Sequence, residues 1–132
     1  MVSGAVGINK QGSGTLVFNG LNTFTGSTNL RQGTLQINSL KNYGAASSLG
    51  APASGNITLA TTNSSTLNYT GTGITTSRTI TVGNNSGTPA SGDTGGATIN
   101  SNGTGALVFT AANFNTTGLT GSLATARLLT LG

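Results

Sequence analysis

The sequence predicts an all-β chain wound as a solenoid, and three observations carry that reading. Short alternating apolar strands recur at intervals near twenty residues, the composition favours strands and tight turns over helices, and charge is almost absent. In residues 14–18 (GTLVF) the large apolar side chains are Leu16 and Phe18, and in residues 33–37 (GTLQI) they are Leu35 and Ile37. A period of two lets one face of each strand be buried while Thr34 and Gln36 look outward. Leu16 and Leu35 lie 19 residues apart. A repeated interval of that size marks successive turns that stack strand on strand, in place of a globule around one central core.

Further strands follow the same rule. Residues 56–60 place Ile57 and Leu59 inward, 65–70 place Leu67 and Tyr69, and 78–82 place Ile80 and Val82. Residues 97–100 then offer Ala97 and Ile99, 105–110 offer Leu107 and Phe109, and 128–131 offer Leu129 and Leu131. Leu59 to Ile80 spans 21 residues, Ile80 to Ile99 spans 19, and Leu67 to Leu107 spans 40, which reads as two turns of twenty. Leu59 to Leu67 and Ile99 to Leu107 are each 8, the reach of one strand and a sharp corner. Coils of about twenty residues holding two or three short strands make a parallel β-helix, with rungs about 4.8 Å apart. About five or six rungs fill residues 1–132, read as a single segment. Two stretches rich in Gly, Ala and Ser, 41–55 and 83–96, interrupt the rhythm, and each holds one proline, Pro52 or Pro89. Proline cannot donate to an interior ladder, so both read as loop excursions from the coil. At longer range Leu16, Val17 and Phe18 recur as Leu107, Val108 and Phe109, 91 residues later.

Gly, Thr, Asn and Ser supply 22, 25, 15 and 14 of the 132 residues, a bias that suits strands with tight corners. Disorder would call for low hydrophobicity with high net charge; here 34% of residues are hydrophobic and the net charge is +4. The five basic residues, Lys10, Arg31, Lys41, Arg78 and Arg127, are scattered and set against Asp93 alone. Each therefore reads as an isolated solvated charge. Nucleic-acid binding needs a dense basic patch with aromatics interleaved, so no nucleic-acid partner is expected. No apolar run approaches the ~20 residues of a membrane-spanning helix, so this segment is not expected to insert in a membrane. The N-terminal MVSGAVG lacks the basic and apolar regions of a secretory leader.

The chemistry of enzymes is missing. There is no His, Cys or Glu and one Asp. Paired carboxylates, a His-dependent triad, a disulfide framework and a three- or four-ligand metal site are all unavailable from side chains. Ser/Lys chemistry would need Lys10 or Lys41 beside a hydroxyl in a pocket. Residues 83–96 do not form a phosphate-binding loop, because no lysine follows the glycines. The chain is therefore expected to have no enzymatic activity, no cofactor, and no catalytic, cofactor-binding or metal site. The Asn-x-Ser/Thr triplets at Asn56, Asn63, Asn68, Asn84, Asn102 and Asn115 follow from composition.

The stretch GSGTLVFNGLNTFTG followed by GTLQI resembles the passenger-associated strand repeat of bacterial autotransporters. Gly14, Thr15, Leu16, Phe18, Gly20, Asn22, Phe24, Gly26, Gly33, Thr34 and Leu35 match its pattern, with Phe24 in the place of the usual tyrosine. Residues 48–50, 55–59 and 65–67 follow the downstream pattern of that family. The resemblance is strong over 10–37, fair to 82, and degenerate from 104 to 118. It implies a right-handed parallel β-helix in a long, surface-exposed or secreted protein. Glycines at 14, 20, 26 and 33 would serve corners that need φ > 0 or a close backbone approach, and Asn22 could bond the backbone of the next rung. Phe18, Phe24, Phe109 and Phe114 read as core filling.

The expected role is a non-catalytic stalk segment of a bacterial surface or secreted protein, extracellular or on the outer membrane, which spaces or displays an adhesive region. A self-assembling fibre is a second reading, because neither VSGAVGI nor ARLLTLG carries an obvious cap. A threonine face for ice or carbohydrate, motivated by Thr79-Ile80-Thr81, is a third, weakened by mixed outward positions. Expected partners are neighbouring repeats of a longer chain, a second copy stacked end to end, and a surface receptor or glycan.

Overall fold

The computed structural model describes residues 1–83, 95–110, 114–115 and 128–132. Those residues are all-β, with twelve strands and no helix: β1 Ile8–Lys10, β2 Thr15–Val17, β3 Thr28–Leu30, β4 Gly33–Ile37, β5 Asn56–Leu59, β6 Ser65–Tyr69, β7 Thr72–Thr76, β8 Thr79–Val82, β9 Ala97–Ser101, β10 Gly105–Phe109, β11 Phe114–Asn115 and β12 Leu129–Leu131. They form two five-stranded sheets, ordered β1-β3-β5-β8-β11 and β12-β9-β6-β4-β2, and one two-stranded sheet, β10-β7. Every strand pairing is parallel. Parallel neighbours cannot be joined by a hairpin, and here the chain reaches the next strand of a sheet only after visiting another sheet. That topology is compatible with a β-helix.

Register turns the alternating sequence into columns. In the second five-stranded sheet Leu16, Leu35, Leu67, Ile99 and Leu131 align, one per strand. Leu35 and Leu67 are fully buried and Ile99 nearly so. Opposite them Leu30, Leu59 and Val82 align on the first sheet, beside Ile57 and Ile80, and all five are buried. Except for Leu16, which only packs against it, and Leu131, which was read as inward but stays largely exposed, these residues make one core cluster with Ile37, Tyr69, Leu40 and Leu49. Burying each large apolar side chain contributes about 1.5–3 kcal/mol. The core thus runs along the stack, between sheets, and each strand adds one or two side chains to it.

The interval between rungs departs from the expected twenty. Ile8 to Thr28 and Leu16 to Leu35 keep 20 and 19 residues, but Leu35 to Leu67, Leu67 to Ile99 and Ile99 to Leu131 are each 32. On the other sheet Thr28 to Ile57 is 29 and Ile57 to Ile80 is 23. Leu67 therefore pairs with Ile99, while Leu107 pairs with Ile74 in the two-stranded sheet. Ile80 and Ile99 lie in different sheets. The intervals of 19, 21 and 40 mixed positions from different sheets, because alternation reports which face a residue takes but not which sheet it joins. For the same reason Leu16 and Leu107, matched in the 91-residue repeat, occupy different sheets.

The strand ends shift by a residue for local reasons. Residue Ala60 takes φ 54°, so β5 turns its corner after Leu59. Arg78 donates its N–H to the Thr76 hydroxyl (3.2 Å) before β8 begins. Strands β1, β3, β7 and β11 lay outside the sequence reading. Residues 41–55 carry no named strand, yet they turn back across the coil: Leu49 is fully buried, Asn22 and Ser47 make an antiparallel bridge, and Ala51 N–H bonds the Phe24 carbonyl at 2.9 Å. Most of the stretch 83–96 lies outside the described residues.

Candidate functional site

The expectation that the basic residues are isolated solvated charges is corrected for two of them. Lys10 is buried. It stands on the edge strand β1 at an inward position, in the column of Leu30, Leu59 and Val82. Its Nζ donates to the carbonyls of Gln11 (2.9 Å), Gly12 (2.6 Å) and Gln32 (3.1 Å). An ammonium has three donors, and all three are used. A lysine pointing inward on an edge strand is a known guard against strand addition. Beside it, Val2, Gly4 and Val6 accept bonds from the Thr23, Thr25 and Gly26 N–H groups.

Arg78 is more deeply set, at 2% exposure. Its Nε donates to the Lys41 carbonyl (3.0 Å), one terminal nitrogen to Leu49 (3.3 Å) and the other to Gly50 (3.0 Å). The guanidinium carbon sits 5.3 Å from the centre of the Tyr43 ring. The Tyr43 hydroxyl in turn donates to Gly55 (2.6 Å) and accepts from the Thr79 N–H (3.1 Å). One arginine and one tyrosine thus pin both ends of the 41–55 flap to the start of β8. Desolvation pushes the Arg78 guanidinium below its ordinary value, with Tyr43 opposing the shift. The described residues contain no Asp or Glu, so carbonyl oxygens and the ring face are what Arg78 meets.

A second polar cluster holds the flap from its inner side. Asn22 accepts from Val2 N–H (2.8 Å) through Oδ1 and donates to the Ser48 carbonyl (3.0 Å) through Nδ2. Asn22 thus makes the backbone bonds that its corner position allowed. Asn38 Oδ1 accepts from Gly20 N–H (3.2 Å) and the Ser48 hydroxyl (3.0 Å), and Ser47 closes a turn onto Gly50 (2.9 Å). Gly50 has φ +68°, and a side chain there would run into the Phe24 carbonyl and ring. Phe24 is fully buried and tilts against Phe18 at 6.2 Å. Phe109 and Phe114 form a separate pair at 5.5 Å, in which Phe114 is exposed.

The remaining positions do not converge on chemistry. Arg31 meets the Thr62 hydroxyl (3.1 Å) and Lys41 is exposed; Arg127 and Asp93 lie outside the described residues. No group of three or more His, Cys, Asp or Glu exists among the described residues. Thr79 and Thr81, which suggested a threonine face, are half-buried and fully buried. A threonine column does occur elsewhere: Thr15, Thr34, Thr66, Thr98 and Thr130 align across the whole second sheet. The outward column beside it is Val17, Gln36, Asn68 and Asn100, partly knitted by Asn68 donating to Gln36 (3.3 Å). It is mixed, as the sequence indicated, and the single threonine column could have been found only by knowing the 32-residue register.

These features define a stack of parallel sheets whose flap is held by one carbonyl-bound cation, Arg78. Residues 8–37 match the Passenger-associated-transport-repeat family, over the stretch where the sequence resemblance is strongest. The chain is also 42% identical over 81 residues to the adhesin BmaC autotransporter of Brucella suis biovar 1 (strain 1330), a match that covers 61% of this chain and 2% of the adhesin. No solved structure matches the chain. The chain is thus similar to autotransporter passenger sequence, with a recognised repeat in β1 to β4.

Proposed function

We propose that this chain is a stalk segment of an autotransporter-like passenger, a right-handed parallel β-helix displayed outside the cell or on the outer-membrane surface. The observation that carries the reading is the coincidence of the repeat match at residues 8–37 with the parallel, in-register pairing of β1 with β3 and β2 with β4. A repeat that pairs with its own continuation builds length, and length with little surface chemistry suits a spacer. The similarity to an adhesin supports a role in holding an adhesive region away from the membrane, with neighbouring repeats as its immediate partners. The absence of His, Cys and Glu from the sequence supports a non-catalytic role.

The test is replacement within a full-length passenger. Exchanging this segment for an equal length of unrelated passenger repeat should leave surface display and adhesion intact, read by antibody labelling of whole cells and by cell binding. Loss of adhesion with display preserved would show that the segment itself binds a receptor or glycan, and would sink the spacer reading.

End-to-end association is a narrower second reading. Among the described residues Leu131 sits in the core column yet is 67% exposed, an apolar position that another strand could cover. The Lys10 guard makes β1 a poor receiver. Addition at the β12 edge by a neighbouring repeat is favoured over an open filament of copies.

A further inference from the structure

Two asparagines of the chain are followed directly by glycine, Asn19 before Gly20 and Asn102 before Gly103, and both are exposed. In such a pair the backbone nitrogen after the asparagine can reach the side-chain carbonyl carbon, since glycine brings no side chain to crowd the approach. We propose that Asn102 is a site of spontaneous deamidation, which turns a surface amide into a carboxylate, and that the fold spares Asn19.

The two glycine nitrogens are placed differently. Gly20 N–H donates to Asn38 Oδ1 (3.2 Å), and that oxygen is itself fixed by the hydroxyl of the fully buried Ser48 (3.0 Å). An amide held in this way keeps its proton and its position. Gly103 lies in the corner between β9 and β10, where Asn102 N–H bonds the Tyr69 carbonyl (2.8 Å) and Thr104 N–H bonds the Gly71 carbonyl (3.0 Å). The Gly103 N–H between them has no partner among the described residues. The Asn102 side chain is tied only through Nδ2, which donates to Asn68 Oδ1 (2.8 Å), an exposed bond that water replaces at little cost. Attack forms a bond from the Gly103 nitrogen to Asn102 Cγ and breaks the bond from Cγ to Nδ2, and the proton of the attacking nitrogen departs with the amide as ammonia. Water then opens the cyclic imide, giving aspartate if it breaks the new bond and isoaspartate if it breaks the original peptide bond. Either product places a carboxylate where the described residues have neither Asp nor Glu. It also removes the first donor from a line of amides that runs from Asn102 through Asn68 to Gln36. Isoaspartate further lengthens the backbone at a corner where Gly103 packs so closely on Gly71 that even a Cβ would collide with its carbonyl.

The experiment incubates the intact chain in mildly alkaline buffer and follows each asparagine by peptide mass spectrometry, with isoaspartyl methyltransferase labelling to mark the backbone-shifted product. In the folded chain Asn102 should convert several-fold faster than Asn19. In urea the two should convert at similar rates, because each has a glycine after it and only the fold separates them. Asn68→Ala removes the tether and should quicken Asn102 without changing Asn19, whereas Asn38→Ala frees the Gly20 N–H and should raise Asn19 towards the rate of Asn102. Conversion of Asn19 as fast as Asn102 in the folded parent chain, or an Asn102 that converts in urea but not when folded, would overturn the proposal.

Discussion

Gly14-Thr15-Leu16 and Gly33-Thr34-Leu35 are the same three residues, and the two copies pair through Thr15 with Thr34 and Leu16 with Leu35. Their fates differ. Leu35 is fully buried, whereas Leu16 only packs partly against the core. Around Gly14 there is open space, and its φ is unexceptional; Gly33 has φ +79° and a side chain there would run into the carbonyls of Gly12 and Gly14. Strand β4 has neighbours on both sides, and β2 is an edge. The motif sets which face a leucine takes, and the number of neighbouring strands sets how much that face is worth. Leu131 repeats the lesson, since it continues the column of Leu35, Leu67 and Ile99 yet has a neighbouring strand on one side only among the described residues.

The comparison is sharpened most by deleting the two leucines in turn. Leu35→Ala should cost about 2–5 kcal/mol, the range for a fully buried leucine, and Leu16→Ala about 1 kcal/mol, because Leu16 is only partly buried against the core. Urea melts monitored by far-UV circular dichroism would measure both, and equal costs would refute the centre-to-edge difference. Arginine gives the next contrast. Arg78→Met leaves the Lys41, Leu49 and Gly50 carbonyls without their donors and should cost about 2–3 kcal/mol, since unpaired buried groups are expensive; Arg31→Met should lie within about 0.5 kcal/mol, as surface substitutions do. Limited proteolysis should cut residues 41–55 early in the Arg78 variant alone. For the glycines, Gly33→Ala should destabilise by about 1–2 kcal/mol through its left-handed backbone, while Gly14→Ala should be neutral or slightly stabilising. The smallest effect on stability and the clearest on association belongs to Lys10→Leu: it extends the core column to an unguarded edge, and light scattering at rising concentration should show more self-association than the parent chain does.

Period two was enough to find eight of the strands and to put Leu35, Leu59, Leu67, Ile80 and Ile99 inside, because alternation is local information. Rung length was not local. It depends on how much chain each corner spends, and corners such as 41–55 spend it on a flap whose buried residue, Leu49, stands in a Gly, Ala and Ser background that reads as loop. The bonds of Asn22 to the Val2 and Ser48 backbones were only one of two readings its position allowed, since an Asn at a corner is as readily an ordinary turn residue. The burial of Lys10 and Arg78 was not legible, since their partners are backbone carbonyls, which leave no trace in residue type. Arg78 also lies 28 to 37 residues from the carbonyls it holds, a separation that only the wrapped chain makes short.

Cations held by carbonyls have a consequence for acid. A carboxylate partner would let go on protonation, but an amide oxygen has no such titration, and the chain lacks histidine and glutamate. Stability changes with pH only where folded and unfolded states bind different numbers of protons. For Arg78 the folded value is the lower one, so the unfolded chain holds that proton more tightly and stability rises with pH, but only in the strongly alkaline range where guanidinium begins to titrate. Through the acid range the group is protonated in both states and contributes no slope. The melting temperature should therefore stay nearly flat from about pH 8 to about pH 3, where carboxylate-paired folds weaken, and a drop of more than a few degrees over that range would show that Asp93 carries more of the fold than the flap does. A filament of such rungs would tolerate an acidified surface without any switch to open it.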